Sequence, residues 1–467
     1  MLDNATIAAI ATPAGEGGIG VVRISGTEAA AIAGRVFRRP GRRATALQLD
    51  PAESHRLHYG RIVDPASGEL IDEVLLGWMA GPHTYTKEDT VEISCHGGPL
   101  PLQETLRVVL ASGARQAEPG EFTLRAFLNG RLDLTQAEAV LNVIGARTAE
   151  SLRLAVSDLA GDLTRRLAPA NAALVSLLAY LDASADFPDD EIDTSDVDHG
   201  LQAASEALED VIAGSQAGML LRDGARVALV GRPNVGKSSL LNALLRSERA
   251  IVTPIAGTTR DLIVETVNLH GIPVTLLDTA GIVETDDVVE RIGVERSRTA
   301  LATAAAIVFV VDGSTALEPG DLEVASMLAE RPRDALTPVV IALNKQDLGE
   351  GPVRQDVLAL LPEATIAPVS ATTGEGLSGL ERAIVEALQG GTSSEARPAL
   401  ISARQRAAVE RALQHVRDAQ EARAAGFPQD LLATPVRAAL HAVGEVTGED
   451  VDEAVIQEIF SRFCIGK

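Results

Sequence analysis

The run Gly231-Arg232-Pro233-Asn234-Val235-Gly236-Lys237-Ser238 constrains this chain more than any other segment. It follows the apolar stretch Arg226-Val227-Ala228-Leu229-Val230 and leads into the helical SLLNALL, so a G-x-x-x-x-G-K-S pattern lies between a strand and a helix. The glycines let backbone N–H groups close on a phosphate, and the helix N-terminus adds positive potential there. Lys237 would reach the β- and γ-phosphates, and the Ser238 hydroxyl would hold Mg²⁺. Asn234, Val235, Gly236, Lys237, Ser238 and Ser239 are therefore the candidate phosphate-loop contacts. Strands and helices alternate from Gly224 to Leu388, the pattern of a parallel α/β sheet that presents such a loop.

The loop alone says nucleotide without saying which. Asn344-Lys345-Gln346-Asp347 follows the apolar stretch Thr337–Leu343, which places it at the carboxyl end of a strand, where α/β sheets bind ligands. Guanine presents N1–H and N2–H₂ donors that one carboxylate accepts together, and adenine lacks that pair. Asp347 is the expected reader and Asn344 supports the loop, with Lys345 a further candidate nucleotide contact. Ser370, Ala371 and Thr372, after the strand ATIAPV, would offer a backbone N–H to guanine O6. Asp278-Thr279-Ala280-Gly281 follows the strand Val274–Leu277: Asp278 would act on Mg²⁺ through water, and the Gly281 N–H would meet the γ-phosphate. In Gly257-Thr258-Thr259-Arg260-Asp261, Thr259 would supply a second hydroxyl to Mg²⁺. Together these elements predict GTP binding and hydrolysis rather than ATP. Hydrolysis needs a positioned water, yet the residue after DTAG is Ile282, which cannot orient one. The following acids Glu284, Asp286, Asp287, Glu290 and Glu295 are the open alternatives.

The chain's 467 residues exceed what one core serves, and 46% hydrophobic content supports several. A net charge of −24 argues against strong, general nucleic-acid binding by this chain alone. Two cysteines, Cys95 and Cys464, make no disulfide framework, no apolar run reaches membrane-spanning length, and the start carries no leader pattern; a cytoplasmic setting is expected. Residues 19–25, 73–78 and 90–94 read as strands, with helical spacing at 27–37 and 99–112, giving an α+β start. From about Glu121 to Ala217 and from about Leu400 to Phe460 the pattern is helical. The acidic run 186–198 reads as a solvated connection, with Pro188 ending a helix.

On residues alone, Arg23 and Glu92 read as an edge-strand salt bridge, His96 as a turn residue beside Gly97-Gly98, and Cys464 as a small buried hydrophobe. Lys467 is a chain end, a position usually disordered.

Several segments outside the nucleotide motifs carry a closer likeness: TIAAIATPAGEGGIGVVRISG, CHGGP, PGEFTLRAFLNGRLDLTQAEAV, DFPDDEID and the terminal FCIGK. With them the chain resembles, over essentially its whole length, the MnmE (TrmE) family of tRNA-modification GTPases. The resemblance implies a multidomain fold: an α+β N-terminal folate-binding domain (1–120) that forms a homodimer, a discontinuous α-helical domain (121–217 and 389–467), and an inserted α/β P-loop GTPase domain (218–388). It implies potassium activation, with K⁺ held by Asn234, Thr253, Ile255 and Thr258, and nucleotide contacts through Thr253, Pro254, Ile255, Ala256, Gly257, Thr258 and Thr259. The family's catalytic glutamate falls on Glu290. A tetrahydrofolate derivative (5-formyl- or methylene-tetrahydrofolate) would meet Arg23, Glu92, Arg131 and Lys467, Arg131 standing where some relatives have lysine. Cys464 matches a cysteine needed for tRNA modification rather than GTP hydrolysis. The family's flavoprotein partner MnmG and tRNA, met through the complex, complete the expectation. A departure lies at Val283, where relatives often carry arginine.

The resemblance implies a carboxymethylaminomethyl-type addition at carbon 5 of the wobble uridine (position 34) of certain tRNAs. The rival reading is a ribosome-assembly GTPase switch. It predicts a basic RNA-binding appendage, which the acidic C-terminal GEDVDEAVIQE does not offer. A further rival is a folate-dependent aminomethyl transferase whose GTPase is only regulatory.

Overall fold

The computed structural model describes residues 4–40, 51–186, 195–247, 265–278, 301–331, 337–349, 353–390, 398–399 and 401–467. It divides into two compact units, Met1–Leu141 with Gly444–Lys467, and Asn142–Val443.

In the first unit, a seven-stranded sheet has the order β3-β4-β5-β6-β2-β1-β7. Its strands are β1 (Ile7–Ile10), β2 (Gly17–Ser25), β3 (Phe37–Arg38), β4 (Arg56–Val63), β5 (Leu70–Met79), β6 (Thr90–Gly97) and β7 (Arg115–Gln116). All neighbours pair antiparallel except β1 and β7. The pleat sends Val22, Ile24, Val74, Leu76, Trp78, Val91 and Ile93 to one face, where helices Ala29–Val36 and Pro99–Ala111 bury them. At Gly20 that packing is close enough that a Cβ would overlap the Leu102 side chain. Strand β4 lies outside the expected set because its inward positions include His58 and Gly60, which hide the apolar period; β1 is only four residues long. His96 is no turn residue: it belongs to β6, and its backbone N–H and ring Nδ1 both meet the Asp72 carboxylate, at 2.8 and 2.6 Å. That hydrogen bond and the carboxylate charge push the His96 pKa up.

Helix Glu121–Leu128 brings charge into the unit's interior. Glu121 (1% exposed) and Arg125 (4%) pair at 2.9 Å, and Arg115 reaches the same carboxylate at 2.6 Å. Arg125 also meets Glu88, whose other contact is the buried Ser25 hydroxyl at 2.8 Å, and donates to the Ala5 carbonyl. Burial pushes the Glu121 carboxyl up, but hydrogen bonds from Arg115, the Glu118 N–H and Arg125 outweigh it and hold it below the usual range. A carboxylate so depressed contributes stability above its unfolded-state pKa, and the contribution is lost as pH falls through the lower folded value. Glu121→Gln is therefore expected to cost about 3 kcal/mol at pH 7, since it removes the carboxylate charge that faces the buried Arg125 and the half-buried Arg115. It should also flatten the acid side of the stability profile, read by urea unfolding at pH 7 and in the acid range.

The second unit holds a six-stranded sheet of order β13-β12-β11-β8-β10-β9. The strands are β8 (Ala225–Val230), β9 (Glu265–Leu269), β10 (Ile272–Asp278), β11 (Ala306–Asp312), β12 (Val339–Asn344) and β13 (Thr365–Pro368). Only β9 pairs antiparallel, with β10; the rest are parallel. Every residue of β11 is buried, as expected of a strand covered on both faces. One side packs on Leu240, Leu244, Leu380 and Ile384, and the other on Val324, Leu328 and Val357. This is the predicted parallel α/β architecture.

Helices Ala149–Leu159, Asp162–Asp186, Ser195–Asp223 and Ala403–Ala424 pack beside it, the residues before and after the α/β segment joining through Ser195–Asp223 and Ala403–Ala424. The Arg166 guanidinium, for example, meets Asp210 at 2.9 Å and the Pro398 carbonyl at 3.4 Å. Pro188, expected to end a helix, lies outside the described residues, and Asp162–Asp186 is helical up to the last residue described before it. Within it, Asp162–Ser184 is long and apolar enough by composition to cross a membrane, which corrects the expectation that no run reaches that length; the helix packs against Ser195–Asp223.

Candidate functional sites

The phosphate loop leaves β8 and enters helix Lys237–Ser247, with Asn234 (φ 65°) and Gly236 (φ 94°) both left-handed. At Gly236 a Cβ would overlap the Asn344 amide, so only glycine lets the two loops touch. Lys237 is 9% exposed, and its Nζ donates to the Gly231 and Arg232 carbonyls at 2.8 and 2.9 Å. Burial pushes its pKa down and the nearby Asp278 partly restores it. The Ser238 hydroxyl donates to Asp278 Oδ2 at 3.3 Å, which sets side by side two hard oxygens that could hold Mg²⁺. Ser239 is exposed on the first turn, while Val235 is fully buried and lends only its backbone.

The base loops sit at the ends of β12 and β13. Asn344, 2% exposed, donates through Nδ2 to the Val235 carbonyl at 2.8 Å and accepts the Ala371 N–H at 3.0 Å. It thereby ties the phosphate loop to both base loops. Ser370, fully buried, donates to Asp347 Oδ1 at 2.6 Å and fixes that carboxylate. Lys345 adopts φ 67°, and Thr372 stands exposed in the turn that follows Ala371. The structure thus brings together Lys237, Ser238, Asp278, Asn344, Lys345, Asp347 and Ser370 at the carboxyl ends of adjacent parallel strands. Thr253, Pro254, Ile255, Ala256, Gly257, Thr258, Thr259, Thr279, Ala280, Gly281 and Glu290 lie outside the described residues.

Around this site the sequence reading misses Arg232, whose Nε meets Asp321 at 3.0 Å, and Asp312, which pairs with Lys345 at 2.6 Å. The available signal for Asp312 is an acid ending the wholly apolar run AIVFVV.

The other predicted cluster lies in the first unit. Arg23 and Glu92 are register partners on β2 and β6 and pair at 2.8 Å, but these are inner strands of the sheet, not edges. The Arg23 guanidinium also lies 5.8 Å from the Tyr85 ring centre and 5.6 Å from that of Phe122, and donates to the Gly466 carbonyl at 3.3 Å. Arg131 sits 4.7 Å from the same Tyr85 ring. The tail is ordered there: the Phe122 N–H donates to the Lys467 carbonyl at 3.1 Å, and Phe460 and Phe463 stack with centroids 5.3 Å apart. Gly466 (φ 96°) lies on β1 so closely that a Cβ would overlap the Ile10 carbonyl. Cys464 is exposed rather than buried, because Phe460 and Phe463 take the inward positions. Arg23, Glu92, Arg131 and the Lys467 main chain are thus gathered around Tyr85 and Phe122, the two aromatics that the sequence reading misses.

Comparison with known proteins gives two family matches: the GTP-binding protein TrmE N-terminus over residues 6–131 and the MnmE helical domain over residues 134–464. The tRNA modification GTPase MnmE of Chloroflexus aurantiacus is 50% identical, covering 99% of this chain and 100% of its own. That of Roseiflexus castenholzii is 49% identical, with both chains covered completely. Among solved structures, a point variant of Aquifex aeolicus Era bound to GDP·AlF₄⁻ aligns at 31% identity over 41% of this chain and 66% of that one, with a TM-score of 0.29.

Proposed function

The chain belongs to the MnmE family of tRNA modification GTPases, and from that premise we propose that it is a potassium-activated GTPase acting in wobble-uridine modification. The observation that carries the GTPase part is the meeting of Lys237, the Ser238–Asp278 pair and the Ser370-held Asp347 at one end of one parallel sheet.

In this reading Asp347 accepts the two guanine N–H donors, and the Ala371 segment offers its backbone to O6. Lys237 and the loop N–H groups take the phosphate charge. Ser238 and Asp278 would hold Mg²⁺, which when bound supplies charge neutralisation across the phosphates. Asn234 would join Thr253, Ile255 and Thr258 in holding K⁺, in the place an arginine finger serves elsewhere. Glu290 orients the attacking water. In the first unit, Arg23, Glu92, Arg131 and Lys467 would hold a tetrahydrofolate derivative that supplies a one-carbon unit when bound. Its fit is supported by the cationic, aromatic setting of Tyr85 and Phe122. Cys464, exposed beside that cluster in sequence, serves the modification and not hydrolysis.

We further propose a homodimer through the N-terminal domain, a hetero-oligomer with the flavoprotein MnmG, and a carboxymethylaminomethyl-type product at carbon 5 of uridine 34. Ile19, Leu57, Tyr59 and Leu75 on the outward sheet face support the dimer, being 68%, 70%, 53% and 43% exposed. GTP turnover should be several-fold or more faster in KCl than in NaCl at equal ionic strength. Deletion of the gene should remove the wobble modification, read by mass analysis of tRNA nucleosides; unchanged uridines would sink the modification reading.

A further inference from the structure

The connection from β11 to helix Pro319–Ala329 touches both halves of the nucleotide site. At its start, Asp312 (7% exposed) accepts the Lys345 ammonium through Oδ2 at 2.6 Å. Its Oδ1 accepts the Ser314 hydroxyl at 2.6 Å and the Ser314 N–H at 3.1 Å. The carboxylate is thus held from within the connection and holds the base loop in turn. The Gly313 N–H donates to the Asn344 carbonyl at 2.7 Å, and a Cβ on Gly313 would overlap the Gln346 amide. At its end, Asp321 (1% exposed) accepts Arg232 Nε at 3.0 Å and the Glu318 N–H at 3.1 Å, while Glu318 meets the same guanidinium at 2.9 Å. Arg232 belongs to the phosphate loop, and its carbonyl is one of the two that hold Lys237. Asp321 Oδ1 is buried without a hydrogen-bond partner among the described residues.

We propose that Asp312–Asp321 is a bracket that positions the nucleotide loops from outside: Asp312 sets Lys345 in the base loop, and Asp321 sets the phosphate loop through Arg232. Each acid acts through another residue, Asp312 through Lys345 and Asp321 through Arg232, so both are positioning residues. The proposal rests on the GTPase reading and assigns its site two residues that the nucleotide motifs leave out. A bare capping role for Asp321 would explain its Glu318 contact but not the Arg232 guanidinium held in place by two acids. A simple surface ion pair would not bury Asp312.

The test uses the full chain, fluorescent GDP binding and steady-state GTP hydrolysis. Asp312→Asn loses a charge-assisted bond and is expected to raise the GDP Kd and the GTP KM about tenfold. Its kcat at saturating GTP should stay within about twofold, because base-loop contacts act alike on ground and transition states. In a Lys345→Met background the same substitution should add less than about twofold, since its effect runs through that ammonium. Arg232→Gln, which leaves the Asp321 cap in place, should weaken GDP about tenfold and leave competition by guanosine unchanged. An Asp312→Asn penalty that persists undiminished beside Lys345→Met would overturn the proposal, as would an unchanged Kd in either single variant. Thermal unfolding of each variant separates these losses from misfolding, which would lower kcat as well. If the unsubstituted chain itself failed to bind fluorescent GDP, the GTPase reading would fall first.

Discussion

Lys237→Ala is expected to lower kcat/KM for GTP by about 10²–10³, the scale on which one preorganised donor to developing charge contributes. Little else could take the ammonium's place. Its Nζ lies between the Gly231 and Arg232 carbonyls, 2.8 and 2.9 Å away, so the loop is folded around it. Arginine should not rescue the loss, because the site leaves Lys237 only 9% exposed and a planar fork needs more room. GDP affinity should fall as well, since the β-phosphate shares the contact. Single-turnover hydrolysis and GDP titration measure both, and turnover within tenfold of the parent would remove Lys237 from phosphate chemistry.

Asp347→Asn should exchange one base for another. The carboxylate accepts two guanine N–H donors, and an amide can accept only one while turning its own N–H₂ toward the other. Losing a charge-assisted bond and leaving a donor unpaired costs roughly 4 kcal/mol, about a thousandfold in GTP affinity. Xanthine carries a carbonyl where guanine has its amine, so the amide N–H₂ gains a partner. Hydrolysis of XTP by Asp347→Asn, with GTP hydrolysis lost at equal concentration, is the expected result. The Ser370 hydroxyl that fixes Asp347 at 2.6 Å also holds the Thr373 N–H at 3.1 Å, so it can orient the amide as it orients the acid. A variant that still prefers GTP would show that Asp347 does not read the base.

Much of the nucleotide site is legible in the sequence because each motif is local. A phosphate loop needs glycines at fixed offsets, a lysine and a hydroxyl within a few residues, so composition and spacing carry the chemistry together. The parallel sheet is legible for the same reason: its strands are covered on both faces and read as apolar runs such as Val339–Leu343. Strand β4 is harder, since His58 and Gly60 fill inward positions that an apolar period would need. Arg23 and Glu92 show a different limit. Their pairing across β2 and β6 follows from the pleat once the register is known, but nothing local tells an inner strand from an edge.

The sequence by itself determined the nucleotide chemistry, the α/β architecture that presents it and the family. Backbone geometry at Gly236, the Lys237 ammonium and the Asp278 and Asp347 carboxylates are properties of short segments. Only the tertiary structure decided what surrounds those segments. It joined Asp312 to Lys345 and Asp321 to Arg232, contacts that depend on neighbouring strands and loops. It also laid the tail against the first unit's sheet, where Arg23 donates to the Gly466 carbonyl across 443 positions of sequence. A contact of that span leaves no periodicity or spacing to read. It exists because Phe460 and Phe463 bury their rings and a glycine, with no Cβ, lets the chain end close on β1.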